Sequence, residues 1–268
     1  MIYKVSTRIE TVQDGQPFDH EFRDGAGNPA NPSECIFPIF QQNDSGLWKA
    51  LGTGFFISHN GFFATAKHVL TDDQGLLLPA LVGVQIMPRS ETPRNRIRPI
   101  INVTLHESAD LAVGFLAYQG KENSAFHLTE RLPDKGDRVA TFAISRLGVV
   151  ALGGQSFELQ FAPELVYSEL EQHWPTGRDK VFLPNNCFQS AMSCEGGNSG
   201  GPVFFGEGDV FAINSTGSQG EQPYSFHSSV ADLLDMKVNE VALAIYGGRV
   251  RQEISIRELG ELGYVSIT

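Results

Sequence analysis

Long apolar runs are missing from this sequence, and their absence removes whole classes of protein at the start. No stretch approaches the ~18 apolar residues that a membrane-spanning helix needs, and the opening Met1-Ile2-Tyr3-Lys4-Val5-Ser6 has no apolar core of leader length. The chain therefore reads as soluble and cytoplasmic. Cysteine is scarce: there are three (Cys35, Cys187, Cys194), an odd count without C-x-x-C spacing. Neither a disulfide framework nor a zinc site is indicated, no cofactor is expected, and a single Cys187 to Cys194 bridge is the one pairing left open. Basic residues are the minority, 20 Lys and Arg against 31 Asp and Glu, for a formal net charge of -11. A field of that sign opposes docking on nucleic acid or anionic lipid. The local cluster of Arg89, Arg94, Arg96 and Arg98 reads as a solvated loop or edge strand. Internal repeats and low-complexity tracts are absent.

Glycine (28), proline (14) and phenylalanine (19) are plentiful. So many turn formers favour numerous short strands over long helices, and the fold class expected is all-β. Residues 1–34 begin with alternation and pass into the turn-rich Asp24 to Pro32, an N-terminal extension that packs outside the main body or tethers it. Strands are expected at Cys35 to Gln41, Leu47 to Gly52, Gly54 to Ser58 and Phe62 to Ala66, with Asn60-Gly61 as a hairpin turn. Others follow at Leu81 to Ile86, Ile100 to Leu105 and Leu111 to Tyr118. The polar residues 121–136 read as a connection between halves. A second set begins with Arg138 to Ile144 and continues through Val149 to Ala151, Phe157 to Phe161, Lys180 to Leu183, Cys187 to Ser190, Pro202 to Phe205 and Val210 to Ser215. Only the end turns helical, at Ser229 to Met236 and at Ser255 to Gly260, where Ser-x-x-Glu has capping-box spacing.

The chemistry centres on Glu195-Gly196-Gly197-Asn198-Ser199-Gly200-Gly201-Pro202. Glycine is needed where a backbone takes positive φ or where another molecule approaches main-chain N–H groups. Both needs arise when a serine hydroxyl attacks a carbonyl and backbone amides hold the oxyanion; a tight turn that happens to carry a serine is the competing explanation. Among seven histidines, His68 stands at the end of an apolar strand, where a general base would have rigid support and an open cleft. Asp110 opens the apolar run Leu111 to Leu116, and such a carboxylate is costly to bury unless hydrogen-bonded. It is either a surface turn residue or the group that orients a histidine.

Taken together, Thr65-Ala66-Lys67-His68, Ala109-Asp110-Leu111-Ala112-Val113 and Gly197-Asn198-Ser199-Gly200-Gly201-Pro202, in that order, resemble the chymotrypsin-fold (trypsin-like) serine peptidases. The resemblance covers roughly residues 35–235 and is nearest in motif form to bacterial HtrA-like and glutamyl-endopeptidase-like members, without a PDZ domain. It implies two packed six-stranded antiparallel β-barrels, at 35–120 and 137–228, with a helical and strand extension at 229–268. It also implies a serine endopeptidase in which His68 is base then acid, Asp110 orients it and Ser199 is the nucleophile. The N–H groups of Gly197 and Ser199, with Asn198 between them, would form the oxyanion hole.

Asn198 stands where digestive members carry an aspartate that pairs with a newly cut amino terminus, so activation of that kind is not expected. The resemblance puts Ser193 at the base of the primary pocket and Ser215, Thr216 and Gly217 along its wall, with His227 either within reach of it or at the surface. With no negative floor, a neutral or apolar P1 side chain is expected on a protein or peptide substrate. A cytoplasmic protease also needs restraint, by narrow specificity, a regulatory partner or a resting site out of shape. Two other readings compete: an inactive protease-like binding module, and an α/β-hydrolase esterase. The esterase needs its histidine and acid after the serine, and only His227 follows Ser199.

Overall fold

The computed structural model describes residues 3–7, 32–42, 48–85, 97–117, 123–153, 156–181, 183–205, 208–218, 223–238 and 253–268. The elements in order are β1 (Tyr3–Thr7), α1 (Pro32–Cys35), β2 (Ile36–Gln42), β3 (Trp48–Phe56), β4 (Phe62–Thr65), α2 (Lys67–Leu70), β5 (Leu81–Val84), β6 (Ile97–Leu105) and β7 (Ala112–Leu116). Then come β8 (His127–Leu128), β9 (Arg138–Gly153), β10 (Ser156–Trp174), β11 (Cys187–Ser190), β12 (Pro202–Phe205), β13 (Asp209–Ser218), β14 (Tyr224–Ser229), α3 (Val230–Leu234), β15 (Lys237–Val238), β16 (Ile254–Ser255) and α4 (Ile256–Glu261).

Strands β2-β3-β4-β7-β6-β5 close into one antiparallel barrel, and β9-β10-β11-β14-β13-β12 close into a second through the β9–β10 and β12–β9 pairings. The two six-stranded barrels are those the motif resemblance implies. Closure removes the exposed edges that short strands would otherwise present. Two short strands add in parallel from outside, β1 on β10 and β8 on β13.

The core explains why β2 is apolar without alternation. Successive side chains of a strand point to opposite faces. Phe37 and Ile39 enter the first barrel with Phe56, Phe63 and Leu116. Ile36 and Phe40 face outward into a cluster shared with Phe142 and Ile144 of β9. The Phe37 ring lies 4.9 Å from Phe56 and 5.2 Å from Phe63, so aromatic packing fills the small barrel. The outer cluster joins the two barrels.

Several local expectations change. The separate strands expected between Arg138 and Phe161 are parts of one long β9–β10 hairpin, whose ladder continues past Gly148 and Pro163 with a register shift between Gln160 and Ala162. Lys180, Val181 and Leu183 lie in no strand, and β14 forms where the sequence pattern marks none. Both short helices are present, Ser229 capping α3 and a full Ser255–Glu258 capping box opening α4. Cys187 and Cys194 are not joined by a disulfide. No helix among the described residues is long and apolar enough to cross a membrane. The linker at 24–31 and the arginines at 89, 94 and 96 lie outside the described residues.

For Arg98, the one member of that cluster among the described residues, the solvated reading is overturned. Its side chain is only 2% exposed and donates to the carbonyls of Leu116 and Ala117 and to the side-chain oxygens of Gln85 and Asn123. Burial lowers its pKa. The guanidinium stays because its fork satisfies four acceptors that would otherwise be stranded at the end of the first barrel. Arg98→Met keeps the packed stem but leaves those oxygens unpaired, and should cost about 2–3 kcal/mol. Urea unfolding checks this; an unchanged midpoint would refute the structural role.

Candidate active site

His68, Asp110 and Ser199 come from three separate elements and meet at the cleft between the barrels. β4 ends at Thr65, and α2, a single helical turn, follows; Val69 and Leu70 are buried and pin that turn, while His68 is left exposed. The Asp110 turn precedes β7 and is anchored on both sides by the buried Ala109 and Leu111. Ser199 stands in the tight turn before β12.

The Asp110 carboxylate receives three hydrogen bonds. Oδ2 lies 2.8 Å from His68 Nδ1 and accepts from Ser215 Oγ at 2.5 Å, and Oδ1 accepts from the His68 backbone N–H at 2.9 Å. The carboxylate therefore faces Nδ1–H and leaves Nε2 for the cleft. Burial pushes the Asp110 pKa up, but the hydrogen bond and charge of His68, with the Ser215 hydroxyl and the His68 amide, outweigh it and hold it below the usual carboxylate value. Burial pulls the His68 pKa down, yet the bond and charge of Asp110 leave it raised. The Ser199 hydroxyl donates to the Ser215 carbonyl at 3.3 Å and makes no hydrogen bond to His68.

The glycines around Ser199 have separate reasons. Gly197 has φ +105°, and a Cβ there would lie 2.6 Å from the Ile144 carbonyl; Gly200 has φ +84° against the backbone of β3. Among the described residues, the N–H groups of Gly197 and Ser199 have no acceptor within the protein. Both remain available to a ligand. Asn198 is buried, and its amide is satisfied in the orientation that turns the nitrogen to the Ile144 carbonyl (3.1 Å) and the oxygen to the Glu195 N–H (3.3 Å). These internal partners satisfy its amide without any chain terminus.

Sequence reasoning missed Thr53. Its N–H donates to the Ser199 carbonyl (2.8 Å), its hydroxyl donates to the Gly197 carbonyl (2.7 Å), and the same oxygen accepts from the Ile144 N–H (2.9 Å). One buried threonine of the first barrel thus fixes the serine loop of the second. A hydroxyl inside an otherwise apolar and glycine-rich strand, at Leu51-Gly52-Thr53-Gly54, was the available signal. Ser215 likewise does more than line a wall, since its hydroxyl reaches Asp110.

The cleft encloses about 720 Å³ and is lined by His68, Asp110 and Ser199, by Cys194 to Gly196, by Asn214 to Gly217 and by Ser225. Ser193 does not line it. Met192 turns inward with 0% exposure, and strand-like alternation sends Ser193 out to solvent and Cys194 back toward the cleft. His227 is also placed elsewhere. It is fully buried, with Nε2 2.8 Å from Ser190 Oγ, and burial lowers its pKa to about 3. Enclosed there, His227 does not line the cleft.

The same two-barrel architecture recurs in solved bacterial proteases. The HtrA-type protease AlgW, solved with a decapeptide, superposes with a TM-score of 0.54 at 13% identity, over 74% of this chain and 62% of that one. The Rv3671c protease of M. tuberculosis in its active form gives 0.52 at 15%, over 75% and 78%. The MamO protease domain of Magnetospirillum magneticum gives 0.52 at 16%, over 74% and 93%. The chain thus spans under two thirds of AlgW, and at these identities the likeness is one of fold. No curated protein sequence matches the chain. The trypsin-like peptidase domain model, however, matches residues 52–213, from β3 in the first barrel to β13 in the second. Because that match takes in more than half of the chain, with the His68, Asp110 and Ser199 segments inside it, the protein belongs to the trypsin-like peptidase family.

Proposed function

We propose that the protein is a serine endopeptidase acting through Ser199, His68 and Asp110. The observation that carries this is the Asp110–His68 hydrogen bond facing Ser199 across a cleft whose Gly197 and Ser199 N–H groups have no acceptor in the protein. When a peptide enters, the Ser199 hydroxyl rotates from the Ser215 carbonyl to His68 Nε2, loses its proton there and attacks the scissile carbonyl. The oxyanion that forms is held by the Gly197 and Ser199 N–H groups, each such donor contributing about 2.7–4 kcal/mol. The imidazolium, stabilised by Asp110, then protonates the leaving amine. Water enters by the same base catalysis and releases the acyl group. Labelling by a fluorophosphonate probe tests the reading: the wild type should react and Ser199→Ala should not. Equal labelling of both, or of neither, would count against Ser199 as the nucleophile.

The substrate class is a protein or peptide that lies along the Ser215 to Gly217 edge as an added strand. AlgW was solved with a decapeptide, which is in keeping with that. The P1 side chain sits among Cys194, Asn214 and Ser225, all neutral at pH 7, so we assign a neutral or apolar P1 residue. A resting hydroxyl engaged by Ser215 fits a restrained enzyme that works slowly until a correct substrate or partner is bound. Unfolded casein should be cut slowly and at few sites, after neutral residues. Rapid indiscriminate digestion, or cleavage after Arg, Lys or Glu, read by mass spectrometry, would refute this assignment.

A further inference from the structure

The turn that carries Asp110 is itself held by a histidine that the triad does not use. His106 follows β6, and its Nδ1 accepts two backbone hydrogen bonds, from Ala109 N–H at 2.8 Å and from Ser108 N–H at 3.2 Å. The His106 backbone N–H donates to the Leu111 carbonyl at 2.9 Å, so one residue ties both sides of the turn around Asp110. Lys67, next to His68, reaches across to the carbonyls of His106 (2.8 Å) and Glu107 (3.3 Å). Asn185 of the second barrel donates to Ser108 Oγ at 3.1 Å.

An Nδ1 that accepts two N–H groups carries a lone pair, so the ring is neutral with its proton on Nε2. Protonation at Nδ1 puts a third N–H where two already point. The ring must then leave, and the buried Ala109 amide loses its acceptor. We propose that His106 is a positioning residue: its neutral imidazole clamps the Asp110 turn so that the carboxylate meets His68, and protonation releases the clamp and lowers activity. This rests on the reading of Asp110 as the partner of a catalytic His68.

The charged groups around His106 set where the release falls. Burial lowers its pKa, Asp232 on α3 pulls it back up, Lys67 on α2 lowers it again and Glu107 on the same turn opposes. The balance lies below the ordinary histidine value, whereas His68 lies above it. On acidification His68 is therefore protonated first and His106 second. The Asp232 carboxylate, whose Oδ2 is buried without a hydrogen-bond partner, is the acceptor available to a displaced imidazolium.

Two variants and two readouts test this. His106→Asn supplies an amide oxygen that accepts the same N–H groups and does not titrate; His106→Ala supplies none. At neutral pH, His106→Ala should lose about 10- to 100-fold in kcat with little change in KM, and His106→Asn should recover most of it. The fall of log kcat/KM with decreasing pH should steepen from slope one to slope two in the wild type and stay at slope one in His106→Asn. In Ser199→Ala protein, exchange of the Ala109 amide, corrected for its intrinsic pH dependence, should lose protection as His106 titrates. Full kcat in His106→Ala, slope two retained in His106→Asn, or Ala109 protection that is constant with pH would each overturn the proposal. The exchange measurement needs no turnover. A wild type that hydrolyses no peptide would sink the peptidase reading alone, and the amide would still report on the clamp.

Discussion

Ser199→Ala is expected to lower kcat by about 10^6-fold, Asp110→Asn by about 10^4-fold, and the double variant by no more than Ser199→Ala alone. Non-additivity follows from the site acting as a unit: without the hydroxyl there is no attack for the base to assist. The loss at Asp110 has a specific geometry behind it. The carboxylate accepts from His68 Nδ1, from the His68 backbone and from the Ser215 hydroxyl. An asparagine has one oxygen for these three donors, and its NH2 group must face one of them. The arrangement that spares the backbone bond turns the NH2 toward Nδ1, which moves the imidazole proton to Nε2 and leaves no base facing Ser199. Steady-state kinetics on a cleaved peptide give all three values. A double variant much slower than Ser199→Ala, or an Asp110→Asn variant near wild-type rate, would contradict the triad.

Gly200→Ala should damage folding rather than chemistry. A Cβ at Gly200 would collide with Thr65 Oγ1 and the Thr53 carbonyl and would lie 3.0 Å from the Ala66 amide. Two of these are backbone groups of the first barrel that cannot move aside without disturbing β3 and β4. The left-handed φ of +84° costs about 1–2 kcal/mol for a residue with a side chain, and overpacking adds about 1–3 kcal/mol or more. Against the ~5–15 kcal/mol by which a folded protein is stable, that is a large part of the margin. Thermal denaturation should show a midpoint about 10 °C lower. The control lies four residues away: a Cβ at Gly196 meets nothing within 4 Å, so Gly196→Ala should stay within about 0.5 kcal/mol of wild type. Equal stability of the two variants would show that the serine loop is not wedged between the barrels.

The sequence by itself determined what depends on covalent order and short-range pattern. Apolar runs punctuated by turns marked most of the strands, Asn60-Gly61 sits at the turn before β4, and Ser229 and Ser255 cap α3 and α4. The His68, Asp110 and Ser199 segments were legible because each sits where an apolar run begins or ends, a local signature of side chains held at a cleft. Tertiary structure alone decided which groups meet and which lose water. Arg98 looked solvated within a basic cluster, yet barrel closure buries it among four acceptors. Ser193 and His227 were carried over from a resemblance, but one step along the chain turns a side chain to the other face, and the register of β11, β13 and β14 encloses His227 with Ser190. The hydroxyl of Thr53 stands out within its own strand, but nothing local shows what it holds, since the partners lie 144 and 91 residues away. The direction of the Ser199 hydroxyl is the last such decision. Any serine can rotate toward either acceptor, and only the packed positions of Ser215 and His68 determine which one it rests against.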